Sequence, residues 1–189
     1  MPTFYKIIAV NEPDLVCDNI EVELRYENVA GRDLVIYLPP NYWQAKGEMP
    51  VIYMFDGQNL GETFAYGTGW NMPKVMQDLY QQEGLSFVAV GIFNGEQDRC
   101  TEYSPYVDLG HGIDIPEPGA EQHSSLIIEE IIPFIDDNLR ENGLEPGPRF
   151  LMGSSMGGLM SFWMAMKYSE IFQGAAAMSP SFWIGEQAT

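Results

Sequence analysis

Three short apolar runs, each stopped by glycine or a polar residue, most constrain what this chain can fold into. They are "MPVIYMFDG" (49–57), "SFVAVGIF" (86–93) and "PRFLMGS" (148–154). A strand with one wet face alternates apolar and polar residues, whereas these runs are almost continuously apolar, as expected of strands covered on both faces. The first of them is expected to be central. Helical patterns fall between and after the runs. Asn71 can cap a helix through "MPKVMQDLYQQ" (72–82) that Gly84 can end. "SSLIIEEIIPFIDDNLREN" (124–142) sets Ile127, Ile128, Ile131, Ile132, Ile135 and Leu139 along one face, with Pro133 expected to kink it. A third helix follows "PRFLMGS" and runs to Tyr168, with Met160, Met164 and Met166 read as core filler; "GAAAMSP" (174–180) reads as a last strand. Upstream, "IEVELRY" (20–26) alternates and "DLVIYLPP" (33–40) ends in two prolines, which predicts an antiparallel pair. Strands alternating with helices predict an α/β fold: a mostly parallel sheet with helices on both faces.

The 189 residues, 46% of them hydrophobic, suffice for one domain with a sizeable core, and no linker or repeat divides residues 1–189. The net charge of −18 arises because 9 Lys and Arg face 27 Asp and Glu. Nucleic acid and anionic membranes are therefore poor partners, since binding them takes clusters of basic residues. Cys17 and Cys100 stand far apart without a CxxC or His-rich neighbour, so they read as free thiols in a reducing compartment. With no secretory leader pattern at the N-terminus and no run long enough to span a bilayer, the expected location is cytoplasmic. Asp108, His111 and Asp114 are a weak metal set, one imidazole with two loop carboxylates, and no cofactor or metal is expected.

Gly153-Ser154-Ser155-Met156-Gly157 fits G-x-S-x-G, a sharp strand-to-helix turn that lifts a serine hydroxyl above the carboxyl edge of a sheet. The required buried strand precedes it, a helix follows, and Gly158 adds a small residue where helix and strand must approach closely. Ser155 is the expected nucleophile. Acyl transfer also needs donors for an oxyanion, here the backbone N–H of Met156 and, from the loop Asp56-Gly57-Gln58-Asn59, that of Gly57 or Gln58.

Four ordered strings, "YMFDGQNL" (53–60), "VGIFNGEQDRCTEYSP" (90–105), "EEIIPFID" (129–136) and "GSSMGGLMSFWMAMKYSEIFQGAAAMSPSFW" (153–183), resemble the putative esterase family of α/β hydrolases. The wording is nearest to the predicted hydrolases grouped with enterobactin esterase, and the similarity extends over about residues 20 to 185. The resemblance implies an α/β-hydrolase fold, Ser155 as nucleophile, Met156 with Gly57 or Gln58 as oxyanion donors, and a small-molecule ester as substrate. Arg99 and Glu102 match the family and are expected to form an ion pair that holds the long loop 94–122. Trp70, beside the oxyanion loop, and Trp183, which with Ser181 follows the last strand, are candidate walls of the substrate pocket.

The triad order in such hydrolases is Ser, then Asp or Glu, then His, yet both histidines, His111 and His123, precede Ser155. The expectation is that the acid and the histidine lie beyond residue 189, in further strand-helix units on the order of 60 residues long. An upstream histidine as base stays open, because triads are defined by geometry rather than order. Two other readings remain: a binding module that kept the fold without the triad, and an acyltransferase sharing every residue seen here.

Overall fold

The computed structural model describes residues 22–61, 63–64, 67–109 and 113–185. Its main sheet has six strands, β1 (Val22–Val29), β2 (Arg32–Leu38), β3 (Gly47–Phe55), β6 (Val88–Ile92), β7 (Leu144–Ser154) and β8 (Gly174–Met178), in the order β1-β2-β6-β3-β7-β8. The separate pair β4 (Thr63–Phe64) and β5 (Gly67–Thr68) makes a small hairpin. β1 and β2 are antiparallel, with Val22 opposite Leu38, and β2 joins β6 antiparallel. From β6 onward every pairing is parallel. The three apolar runs become β3, β6 and β7, neighbours in the sheet with β3 between the other two; β6 and residues 51–55 of β3 are covered on both faces as expected, whereas β7 is not, since its residues alternate in burial and Phe150 is exposed.

Helices cover both faces. The larger core packs Ile127, Ile131, Ile135 and Leu139 with Val51, Tyr53 and Phe55 of β3, all essentially dry. Each such buried side chain contributes about 1.5–3 kcal/mol. On the opposite face α1 (Met72–Glu83) lays Met72 and Met76 on Val35, Met54 and Ala89. Gly84 ends α1 in the left-handed conformation, and its N–H reaches the carbonyls of Leu79 and Tyr80. Asn71 precedes the helix as expected, but it sits at φ 50° and ψ 48° with no side-chain cap bond, so it contributes backbone geometry instead of an acceptor.

Three expectations about local structure need correction. The loop from 94 is not wholly irregular: it holds a 3-10 turn (Glu96–Asp98), the short helix α2 (Arg99–Glu102) and an isolated bridge between Asp108 and Ile115. The following helix starts earlier than residue 124, as α3 (Ala120–Leu126). Around Pro133, where a kink is expected, the helix departs from regular α geometry: α3 passes through a wide π turn (Ile127–Ile131) in which the Ile132 N–H reaches the Ile127 carbonyl, and α4 (Ile132–Glu141) then carries the proline in its first turn. In α5 (Met156–Lys167), Met160 and Met164 are fully buried, but Met166 is 68% exposed, because its position points away from the sheet. Cys100 is a free, partly buried thiol, whereas Cys17 and His111 lie outside the described residues. Among the described residues no helix is long and apolar enough to cross a membrane, and no cluster of His, Cys, Asp or Glu suited to a metal occurs.

Candidate active site

β3 and β7 are parallel neighbours, with Met54 opposite Met152, so the turns that follow them emerge at the same edge of the sheet. After β7 the chain turns into α5 through Ser155, whose φ of 55° and ψ of −119° lie in a region that residues with a Cβ rarely adopt. The turn is tight because of its glycines. A Cβ on Gly153 would stand 2.4 Å from the Gly157 carbonyl oxygen, and one on Gly158 would stand 3.0 Å from the Met178 carbonyl oxygen. The Ser155 side chain is exposed while Met156, directly after it, is buried.

The loop after β8 clasps this turn from the other side. The Ser155 N–H donates to the Met178 carbonyl at 3.0 Å, and the Ser181 N–H donates to the Ser155 carbonyl at 3.1 Å. The buried Ser181 hydroxyl lies 3.2 Å from the Ser155 hydroxyl. Its position after the last strand puts Ser181 at this edge, but nothing in the sequence beyond the "SPSFW" string marks its contact with Ser155.

After β3 the chain passes through Asp56, itself left-handed at φ 61° and ψ 50°, into a 3-10 turn (Gly57–Asn59). The N–H groups of Gly57 and Gln58 start that turn, and the N–H of Met156 starts α5. First-turn donors have no partner within their own helix. The two turns touch: a Cβ on Gly157 would meet Phe55 Cβ at 3.0 Å and Asp56 Oδ2 at 3.3 Å. Gly57 is required by close packing, since a Cβ there would stand 2.5 Å from the Gly91 carbonyl carbon.

Arg99 does not pair with Glu102. Its Nε and Nη2 donate to Asp56 Oδ1 and Oδ2 at 2.6 and 2.7 Å, and this hydrogen bonding is the main cause that raises its pKa. Glu102 pairs instead with Arg32 of β2 and accepts the Gly95 N–H at 2.7 Å. Burial raises the Glu102 pKa, with the Gly95 and Arg32 contacts opposing. The reason is reach: Asp56 presents both oxygens to a planar fork, whereas Glu102 is turned toward β2 and the 94–95 turn. Asn94 completes the group, its Nδ2 donating to Asp56 Oδ1 at 2.7 Å and its N–H to Gln58 Oε1 at 3.3 Å.

His123 lies among rings, 5.4 Å from Tyr103 and 5.9 Å from Phe55 between centroids, and its buried Nε2 has no hydrogen-bond partner among the described residues. Burial, with a smaller effect of Arg32, lowers its pKa to about 3, so the ring is neutral. Trp70 is half-buried against the smaller core, its backbone N–H donating to the Asn59 carbonyl at 2.9 Å, so it borders the 57–59 turn. Trp183 is 40% exposed beyond Ser181.

A sequence model of the Esterase family, described as "Putative esterase", matches residues 30–189. The uncharacterized protein YbbA of Bacillus subtilis is 30% identical over 161 residues, 83% of this chain and 60% of that protein. Among solved structures, an IroE-like serine hydrolase from Shewanella oneidensis superposes with a TM-score of 0.66 at 26% identity, over 87% of this chain and 52% of that one. The siderophore hydrolase EstA from Aspergillus nidulans gives a TM-score of 0.67 at 19% identity, over 83% and 56%. The chain thus spans roughly half to three-fifths of the length of the proteins it matches. With the family sequence covering all but the first 29 residues, and with the sheet order and the β7–α5 turn in place, this chain belongs to the putative esterase family of α/β hydrolases.

Proposed function

We propose that the chain carries the nucleophile and the oxyanion donors of a serine ester hydrolase acting on a small-molecule ester. The observation that supports this most directly is the strained turn at the exposed Ser155, which opens α5 where the helix's first turn packs against Phe55 and Asp56, the residues that lead into the 57–59 turn. The Shewanella neighbour's description as a serine hydrolase agrees with it. In the reaction, Ser155 Oγ adds to the ester carbonyl as its proton passes to a base. The carbonyl oxygen gains negative charge opposite the N–H groups of Met156 and of Gly57 or Gln58. The alkoxide leaves with a proton, giving an acyl-Ser155 that water then hydrolyses.

Serine needs a base to be a nucleophile at neutral pH. Among the described residues, His123 is neutral and ring-packed with Nε2 unpartnered, and Ser155 Oγ meets the Ser181 hydroxyl and no histidine. We assign the acid and the histidine to residues beyond 189 in the whole protein, and we place that protein in the cytoplasm. On this assignment residues 1–189 alone turn over esters at a small fraction of the whole protein's rate, because loss of a triad member costs several orders of magnitude. A fluorophosphonate probe tests the nucleophile: it should label the whole protein at Ser155, and Ser155→Ala should abolish labelling. Equal labelling of both proteins removes Ser155 from the reaction. The competing reading, a binding module without chemistry, predicts no labelling of either.

A further inference from the structure

We propose that Asp56 and Arg99 are positioning residues that aim the oxyanion donors of Gly57 and Gln58 at the carbonyl attacked by Ser155. The inference rests on the nucleophile reading above. It starts from a conformational anomaly: Asp56 is a non-glycine residue at φ 61°, 3% exposed, directly before the proposed donors. A left-handed aspartate persists only where its surroundings hold it, because relaxing φ would relieve the strain. Relaxation of Asp56 would rotate the peptide that carries the Gly57 N–H, and the Gln58 N–H with it.

What holds Asp56 is its own side chain. The carboxylate takes three donors, Arg99 Nε at 2.6 Å, Arg99 Nη2 at 2.7 Å and Asn94 Nδ2 at 2.7 Å. Its backbone N–H donates to the buried Tyr103 hydroxyl at 3.1 Å. Arg99 is itself fixed, since it begins α2, whose other end, Glu102, is tied to Arg32 and the Gly95 N–H. Asn94 bonds both sides of the loop, Asp56 by its side chain and Gln58 by its N–H. On the far side, Asp56 Oδ2 lies against Gly157 in the first turn of α5. One carboxylate therefore fixes the loop that carries one donor set and touches the helix start that carries the other. A planar fork suits this task better than an ammonium, because two parallel bonds fix the orientation of the carboxylate as well as its distance.

The test compares wild type, Arg99→Met, Arg99→Lys and Asp56→Asn, with two readouts. The first is the rate of Ser155 phosphonylation by a fluorophosphonate in the whole protein, resolved into a binding constant and a limiting rate. Misaimed donors should lower the limiting rate roughly 10- to 100-fold while leaving probe binding within a factor of two or so. Arg99→Lys, which keeps the charge without the fork, should fall between wild type and Arg99→Met. The second readout is amide hydrogen exchange at Asn59 and Leu60, whose N–H groups close the turn on Asp56 and Gly57. Arg99→Met should speed exchange there at least tenfold with α5 unchanged, which separates a loosened loop from a loosened protein. Limiting rates equal to that of a labelled wild type overturn the proposal, and so does unaltered exchange in Arg99→Met. Failure of the wild type to be labelled sinks the nucleophile reading instead, and exchange then judges the clamp alone.

Discussion

The strain at Ser155 can be weighed directly by replacing it with glycine and with alanine. Its φ of 55° and ψ of −119° belong to backbone space that glycine enters freely and residues with a Cβ do not. Such a conformation stores about 1–3 kcal/mol. Both substitutions delete the hydroxyl, so the 3.2 Å contact with Ser181 is lost in each and cancels in the comparison. Alanine keeps the strain and glycine releases it. Glycine's greater freedom in the unfolded chain takes back about 0.5–1 kcal/mol, so Ser155→Gly should be more stable than Ser155→Ala by about 1 kcal/mol, within a range of about 0–2.5 kcal/mol. For a chain of this size 1 kcal/mol is about 2–4 °C in Tm. Against wild type, Ser155→Ala should lose about 0.5–1.5 kcal/mol, the worth of one hydrogen bond. Urea unfolding of the three proteins, with equal m values, measures both differences. An alanine variant more stable than the glycine variant would refute the idea that the turn is strained for the sake of the hydroxyl.

Further expectations concern packing and pH. Gly153→Ala forces a methyl to within 2.4 Å of the Gly157 carbonyl oxygen and should destabilise by about 1–3 kcal/mol or more, whereas Gly174→Ala, whose nearest atom would be 3.8 Å away, should stay within about 0.5 kcal/mol; thermal unfolding distinguishes them. The His123 pKa, about 3 in the fold against 6.5 as a free side chain, means that the unfolded chain binds a proton that the fold does not, so stability falls as pH drops below 6.5 and goes on falling toward pH 3. Its share is about 1.4 kcal/mol per pH unit, or about 2 kcal/mol between pH 7 and 5. His123→Leu should lessen the measured loss over that range by about this amount, and an unchanged loss would show that the ring takes up its proton in the fold.

Helix identity was legible from periodicity, and the continuous apolar runs Val51–Phe55 and Val88–Ile92 were legible as strands from their shortness, their β-branched content and the turn residues around them; the sheet places both in its interior. The strand-to-helix turn was legible for a related reason: glycines at 153, 157 and 158 are demanded by contacts under about 3.4 Å. Partners across the fold were not. An acid three residues after Arg99, on one short helix, is the natural local choice, yet Arg99 reaches an aspartate 43 positions upstream. Nothing local marks Asp56, since aspartate before glycine is ordinary turn wording and its left-handed φ follows from tertiary contacts. The contact of Ser181 with Ser155 was hidden likewise, because it depends on how β8 delivers its loop over α5.

The glycine-to-glycine seam between the end of β7 and the start of α5 also has a mechanical meaning. Where backbone meets backbone with no side chain between, no rotamer can yield, and the two elements move as one stiff body. A ligand arriving at this edge of the sheet meets a floor that does not give. Any accommodation to its size must come from the surrounding loops.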